Sequence, residues 1–267
     1  MPSEFVFDLP HYRALDQARI EFLRGLLPQW KSDLQLTSAL DVGCGVGHFA
    51  ALLHELGFDV TAVEGRAENA EEARSRVAGL KVYVGEAEEI ASVGIGSSDL
   101  VLALGLLYHL ENPFRVVRQL RSVTRKLLVV ESMCMDDPNP VLYLRDEGHG
   151  EDQGLRYVAF YPTEACLAKM LYRAGFPFVY RFLKLPAHPD FSASWRKHRV
   201  RTMLAASTEP LKVPYLAEMA EPATSEDPWI STVGGTWDKV ARLGRFALKP
   251  WPEKMAALRR RRILGIR

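Results

Sequence analysis

The chain has 267 residues, 48% of them apolar, and a net charge of +1, which is length and apolar material enough for one large globular domain with appendages. Its three cysteines, Cys44, Cys134 and Cys166, show no CxxC spacing, so neither a disulfide framework nor a structural zinc site is indicated. No run approaches about 18 uninterrupted apolar residues, and residues 1–30 show no basic segment followed by an apolar one; the expectation is a cytoplasmic protein without a transmembrane segment.

Charge is unevenly placed. The last nineteen residues, with the run Arg259 to Arg262, carry +6, which leaves −5 on the rest of the chain. An acidic body is a poor general platform for nucleic acid.

In chain order, Tyr12–Leu27 reads as an amphipathic helix within an N-terminal helical extension, residues 1–37. Leu40 to Val42 closes a short strand, and Phe49, Leu52, Leu53 and Leu56 lie on one face of a helix that Gly57 stops. Asp59–Glu64 and Lys81–Val84 read as strands, with a helix over Glu68–Val77 between them. Leu100–Leu104 is a buried strand, Asn112 and Pro113 make an N-cap and first-turn pair, and Lys126–Val130 is a fifth strand. Pro162 and Thr163 open a helix carrying Leu167, Met170 and Leu171, and Phe178–Leu185 and Val200–Ala206 read as two further strands. Continuous apolar strands alternating with helices predict an α/β fold, a doubly wound sheet covered on both faces, over residues 38–207. Residues 208–267 follow as a proline-punctuated linker and a basic helical extension, with helices over Thr236–Leu248 and Pro252–Arg262.

The stretch LDVGCGVGHFAALLHELGFDVTAVEG, residues 40–65, carries the first functional signal. A glycine turn between strand and helix lets ligand atoms approach bare backbone. A dinucleotide fingerprint starting at Gly43 needs a third glycine where His48 stands, so that spacing fails. What is present is D-x-G-x-G-x-G, with Asp41, Gly43, Gly45 and Gly47. Glu64, ending the second strand about twenty residues on, is placed to accept hydrogen bonds from ribose hydroxyls in dinucleotide and other nucleoside sites alike.

This pattern resembles motif I of the class I S-adenosylmethionine (SAM)-dependent methyltransferases. The resemblance spans about residues 38–206 and includes Glu86 after the third strand, Asp99 opening the fourth and Gly105 closing it. It implies a Rossmann-like seven-stranded sheet of order 3-2-1-4-5-7-6 with the last strand antiparallel, and SAM as cofactor. The cofactor-binding residues it implies are Asp41, Gly43, Cys44, Gly45, Gly47, Glu64, Gly65, Glu86, Ala87, Leu104 and Gly105. Cys44 is read as a small loop filler, since no general base is placed near it.

A second stretch, LALGLLYHLENPFRVVRQL from residue 102, lies just after the fourth strand. Its Gly105, Leu107, Tyr108, His109 and Pro113 resemble the tRNA wobble-uridine carboxymethyltransferase branch. The chain departs from that branch in having only about forty residues before the glycine loop, so ordinary methyl transfer is carried over and the tRNA substrate is not. His109 is the candidate catalytic base or acceptor partner, because imidazole titrates near neutrality, with a helix-packing histidine as the alternative. Tyr108 is a candidate pocket residue, since a phenol ordinarily titrates near 10.

Residues 132–162 form a long acidic and aromatic segment expected to be a lid beside the acceptor pocket. Its acids show no metal-ligand spacing, so no metal is expected. The expected function is methyl transfer to an oxygen or nitrogen of a small hydroxylated metabolite, with RNA as the second acceptor class. A non-catalytic SAM-binding subunit and an NAD-dependent oxidoreductase are the competing readings.

Overall fold

The computed structural model describes residues 5–147, 154–192 and 199–222. These fall within one compact unit, Met1–Pro222; the two C-terminal helices expected from the sequence, the arginine run and His149, Glu151 and Asp152 of the expected lid lie outside the described residues.

Among the described residues, ten strands and five α-helices alternate. Helix α1 spans Pro10–Asp33, β1 Ser38–Val42, α2 His48–Glu55, β2 Asp59–Glu64, α3 Ala67–Arg76, β3 Lys81–Val84 and β4 Ser98–Leu104. Then come α4 Pro113–Val123, β5 Thr124–Met135, β6 Leu142–Asp146, β7 Val158–Pro162, α5 Glu164–Arg173, β8 Phe178–Phe182, β9 Arg199–Ser207 and β10 Leu216–Glu218.

The main sheet has the order β10-β8-β9-β5-β4-β1-β2-β3. Strands β3, β2, β1, β4 and β5 pair in parallel, β9 runs antiparallel between β5 and β8, and β10 adds an antiparallel edge. Over the seven strands read from the sequence the predicted order is the one observed, but the sheet has eight: Leu216–Glu218, read as linker, pairs with Tyr180–Phe182. Three residues with no alternating pattern carry no period to detect, so only the partner strand reveals them.

Apolar residues on the central strands face alternately two cores, which is why those strands read as continuous apolar runs. Leu100, Leu102 and Leu104 meet α1, α2 and α3, while Val101 and Ala103 meet α4 and α5. The N-terminal helix packs into this core: Leu23, Leu27 and Trp30 are fully buried. It also runs past Leu27, the expected end, and through Pro28 to Asp33, where Trp30 is anchored against Phe182 and Tyr215.

Two local readings change, while Asp99 keeps its expected place at the start of β4. Asn112 makes no capping bond at α4; its side chain and backbone N–H instead reach the Glu88 carboxylate at 2.9 and 3.1 Å. Within the 132–162 segment, β5 runs on to Met135 and β6 pairs with β7 as a separate two-stranded sheet. Asp99 lies at the sheet edge opposite the glycine loops, where it binds Thr37, Ser38 and Arg125. Burial pushes its carboxyl up, but Arg125 and the Thr37 and Ser38 donors outweigh it and hold the group well below the usual range.

Candidate cofactor and acceptor site

The sheet order reverses at β1 and β4, the place where an open α/β sheet leaves a crevice at its carboxyl edge. A glycine follows each of the four strands there: Gly43 after β1, Gly65 after β2, Gly85 after β3 and Gly105 after β4. All four line one cavity.

The glycine loop is pinned to the neighbouring strand. The Gly43 and Cys44 N–H groups both donate to the Val63 carbonyl, at 2.8 and 3.1 Å. Gly43, Gly45 and Gly47 all have positive φ, at 73, 52 and 90°, a conformation that a side chain would strain. A Cβ on Gly45 would also stand 3.0 Å from the Phe7 ring.

Glu64 sits 8% exposed at the end of β2. Its Oε2 accepts the Gly45 N–H at 2.9 Å and its Oε1 the Arg66 N–H at 3.0 Å. The Asn69 Nδ2 also donates to Oε1, at 3.5 Å; a carboxylate has about four acceptor sites, so these three bonds orient it and leave some capacity toward the cavity. Glu86 is exposed and accepts from Arg156 at 2.8 Å.

Of the residues expected to hold a cofactor, Gly43, Cys44, Gly45, Glu64, Gly65, Glu86, Ala87, Leu104 and Gly105 line the cavity, as do Tyr108 and His109. Asp41 and Gly47 do not. Asp41 is buried beneath the loop, where burial and then the Glu64 charge push its carboxyl up to about 7; Gly47 packs on Ala73 of α3. Both therefore shape the loop from behind. Burial, with Asp41 and Glu64 nearby, pushes the Cys44 thiol far up, which makes it an inert filler.

Gly105 follows β4 and its N–H donates to the Glu131 carbonyl at 3.1 Å; a 3-10 turn, Leu107–His109, comes next. Tyr108 is 6% exposed and packs its ring 4.1 Å from His109 and 6.0 Å from Tyr161. Burial raises its phenol above the ordinary value, so it stays neutral. The His109 Nδ1 is in a short hydrogen bond to the Glu147 carboxylate.

Sequence reasoning missed the floor of the cavity. Glu131, fully buried on β5, accepts from Arg19 Nη2 at 2.7 Å and from Arg201 Nη1 at 3.0 Å; Arg201 Nη2 donates to the Tyr108 hydroxyl at 3.2 Å. Arg19 also binds Asp16 at 2.8 Å, and the other Asp16 oxygen meets His48 Nδ1 at 3.1 Å. Burial opposes the Arg201 charge, but Tyr108 and Glu131 outweigh it and hold the guanidinium above its ordinary pKa. The signal was present in α1, where Arg19 falls in register with the buried Leu15, Leu23 and Leu27; a charge on an apolar stripe needs a buried partner.

The 154–156 segment also covers the other end. Arg66 Nη2 donates to the Gly154 carbonyl at 3.3 Å, and a Cβ on Gly65 would lie 2.8 Å from Leu155. The expected lid thus borders the Glu64 end as well as the Tyr108 end. Among the described residues no cluster of three or more His, Cys, Asp or Glu has metal-holding geometry, and no helix is long and apolar enough to cross a membrane.

A mostly parallel doubly wound sheet, a glycine loop after its first strand and an acid ending its second are the features of a Rossmann-like nucleoside-binding fold. Residues 40–127 match the family described as "Methyltransferase domain". The chain is 30% identical over 177 residues to a tRNA U34 carboxymethyltransferase of Actinobacillus succinogenes, covering 55% of this chain and 51% of the relative. It is 32% identical over 83 residues to a ubiquinone biosynthesis O-methyltransferase of a Caulobacter species, covering 30% and 33%. The chain thus spans about half or less of these curated relatives. The crystal structure of the N-terminal domain of EvdMO1 with SAH (S-adenosylhomocysteine) bound superposes with a TM-score of 0.56 at 20% identity, covering 73% of this chain and 80% of that one; it shares the fold.

Proposed function

We propose that this protein is a SAM-dependent methyltransferase acting on an oxygen or nitrogen of a small hydroxylated metabolite. The observation that carries the reading is one cavity joining the Gly43–Gly45 loop and Glu64 at one end to Tyr108 and His109 at the other. The residues fit SAM by their chemistry: Glu64 is an acceptor-only group suited to a ribose hydroxyl, the glycines leave room for ligand atoms against backbone, and no pyrophosphate-spaced turn is present. SAM, when bound, supplies a methyl carbon already activated by a sulfonium.

What the chain contributes is alignment and exclusion of water. Glu64 and the loop orient the nucleoside end. Phe7 and Leu155 wall the cavity against Gly45 and Gly65. His109 takes a proton from the acceptor, and the neutral Tyr108 shapes the pocket beside it.

Calorimetry with S-adenosylhomocysteine against NAD tests the reading. Binding of S-adenosylhomocysteine and not NAD is expected, whereas NAD binding alone would point to an oxidoreductase. Radiolabelled SAM with panels of hydroxylated metabolites and RNA then separates an active enzyme from a non-catalytic SAM-binding subunit. The similarity to a tRNA-modifying enzyme favours RNA as the second acceptor class. Against it stands the acidic body of −5, and salt-dependent tRNA binding would reverse the order.

A further inference from the structure

A histidine base works when one ring nitrogen is held protonated by a partner and the other keeps its lone pair for the substrate. Such a partner is present at the cavity end farthest from Glu64 in sequence and was not expected from it. Glu147 directly follows the hairpin strand β6, which ends at Asp146, and its side chain is 3% exposed. Its N–H donates to the Tyr157 carbonyl at 2.9 Å, which fixes the residue across the hairpin. One carboxylate oxygen takes the His109 Nδ1; the other, Oε2, is buried with no hydrogen-bond partner among the described residues. Among those residues His109 is also its only ion-pair partner. Burying a carboxylate against a single imidazole is costly unless the ring's proton faces it.

We propose that Glu147 is a positioning residue which locks His109 in the Nδ1–H tautomer, and that the acceptor group this dyad serves is a hydroxyl. The inference rests on the methyltransferase reading above. A carboxylate only accepts, so Nδ1 carries the proton and Nε2 keeps its lone pair; Nε2 has no hydrogen bond among the described residues, and the ring lines the cavity. An alcohol or phenol is neutral near pH 7 and must shed its proton as it is methylated. The hydroxyl oxygen forms a bond to the methyl carbon while the sulfur–methyl bond breaks and its electron pair stays on sulfur. The hydroxyl proton passes to His109 Nε2. The sulfonium charge is thereby replaced by an imidazolium charge, which Glu147 faces through Nδ1–H.

Gly154 gives a way to disturb this dyad without altering either member. A Cβ at that position would stand 2.0 Å from Glu147 Oε2, so Gly154→Ala drives the carboxylate aside.

The test is nitrogen NMR of protein labelled at its seven histidines, free and saturated with S-adenosylhomocysteine, with His109→Gln assigning the signal. The wild type is expected to show His109 as a single Nδ1–H tautomer. In Glu147→Gln the amide NH2 can face Nδ1 and select the opposite tautomer while S-adenosylhomocysteine binding is kept by calorimetry, and in Gly154→Ala the single-tautomer signal is lost. Mixed or Nε2–H tautomers in a wild type that binds S-adenosylhomocysteine would overturn the positioning role alone. An unchanged tautomer in Glu147→Gln and Gly154→Ala would do the same. A wild type that does not bind S-adenosylhomocysteine would instead overturn the methyltransferase reading. Methyl transfer to amines with hydroxyl analogues untouched would overturn the acceptor class.

Discussion

The buried Arg19–Glu131–Arg201 bridge can be tested by neutralising its centre, Glu131→Gln. Glu131 has no exposed surface and bonds two guanidinium groups at 2.7 and 3.0 Å, while Arg19 and Arg201 are themselves 5% and 8% exposed. The four groups Asp16, Arg19, Glu131 and Arg201 balance in charge; the variant leaves two cations facing each other with one anion. Hydrogen bonds to charged groups contribute about 1.5–3 kcal/mol each, so two give about 3–6 kcal/mol. Breaking a buried ion pair independently costs about 3–5 kcal/mol. Both routes centre on about 4 kcal/mol, which for a unit of this size lowers Tm by about 8–16 °C. Circular dichroism during heating, checked by urea titration, measures it. A loss under about 1 kcal/mol would refute the reasoning, because that is the range of an exposed pair. The bridge also joins α1, β5, β9 and Tyr108, so the variant should weaken acceptor binding.

Further tests follow from individual residues. Asp41 has its carboxyl raised to about 7 in the folded chain, above the unfolded value, so its contribution is fully present below about pH 4 and is lost as pH rises through 7. Relative to Asp41→Asn the wild type should therefore lose about 4 kcal/mol between pH 4 and 7; parallel urea midpoints over that range would contradict the burial argument. Glu64→Gln should weaken S-adenosylhomocysteine binding about 10- to 100-fold in calorimetry, the range for one lost charged hydrogen bond. Gly47→Ala, at φ 90° with Ala73 only 3.2 Å away, should cost about 1–3 kcal/mol of stability by urea titration. His109→Gln should lower kcat for a hydroxyl acceptor about 100-fold while leaving KM for SAM in place, and unchanged turnover would remove its role as a base.

Much of the site was readable because its signals are local. The glycine spacing from Gly43 to Gly47, the acid at Glu64 and the Tyr108–His109 pair each lie at a strand end, and a parallel sheet brings its strand ends to one edge whatever the loops do. The apolar runs at Leu40–Val42 and Leu100–Leu104 read as strands because burial on both faces leaves no polar alternation.

What was missed is long-range. Arg19 and Glu131 are 112 residues apart, and His109 and Glu147 are 38 apart. Such pairs carry no shared period or motif, and only packing shows that each buried charge has its partner. Asp41 illustrates the division from the other side: its place in the motif was legible, yet only the tertiary structure put it beneath the loop while Glu64 faces the cavity. The sequence alone determined the class of fold and the ends of strands where a ligand can lie, because backbone sterics and apolar periodicity act over a few residues. The tertiary structure decided the eighth strand, the bridge under the cavity and the orientation of His109, because pairing and desolvation depend on which distant groups are brought within about 3 Å.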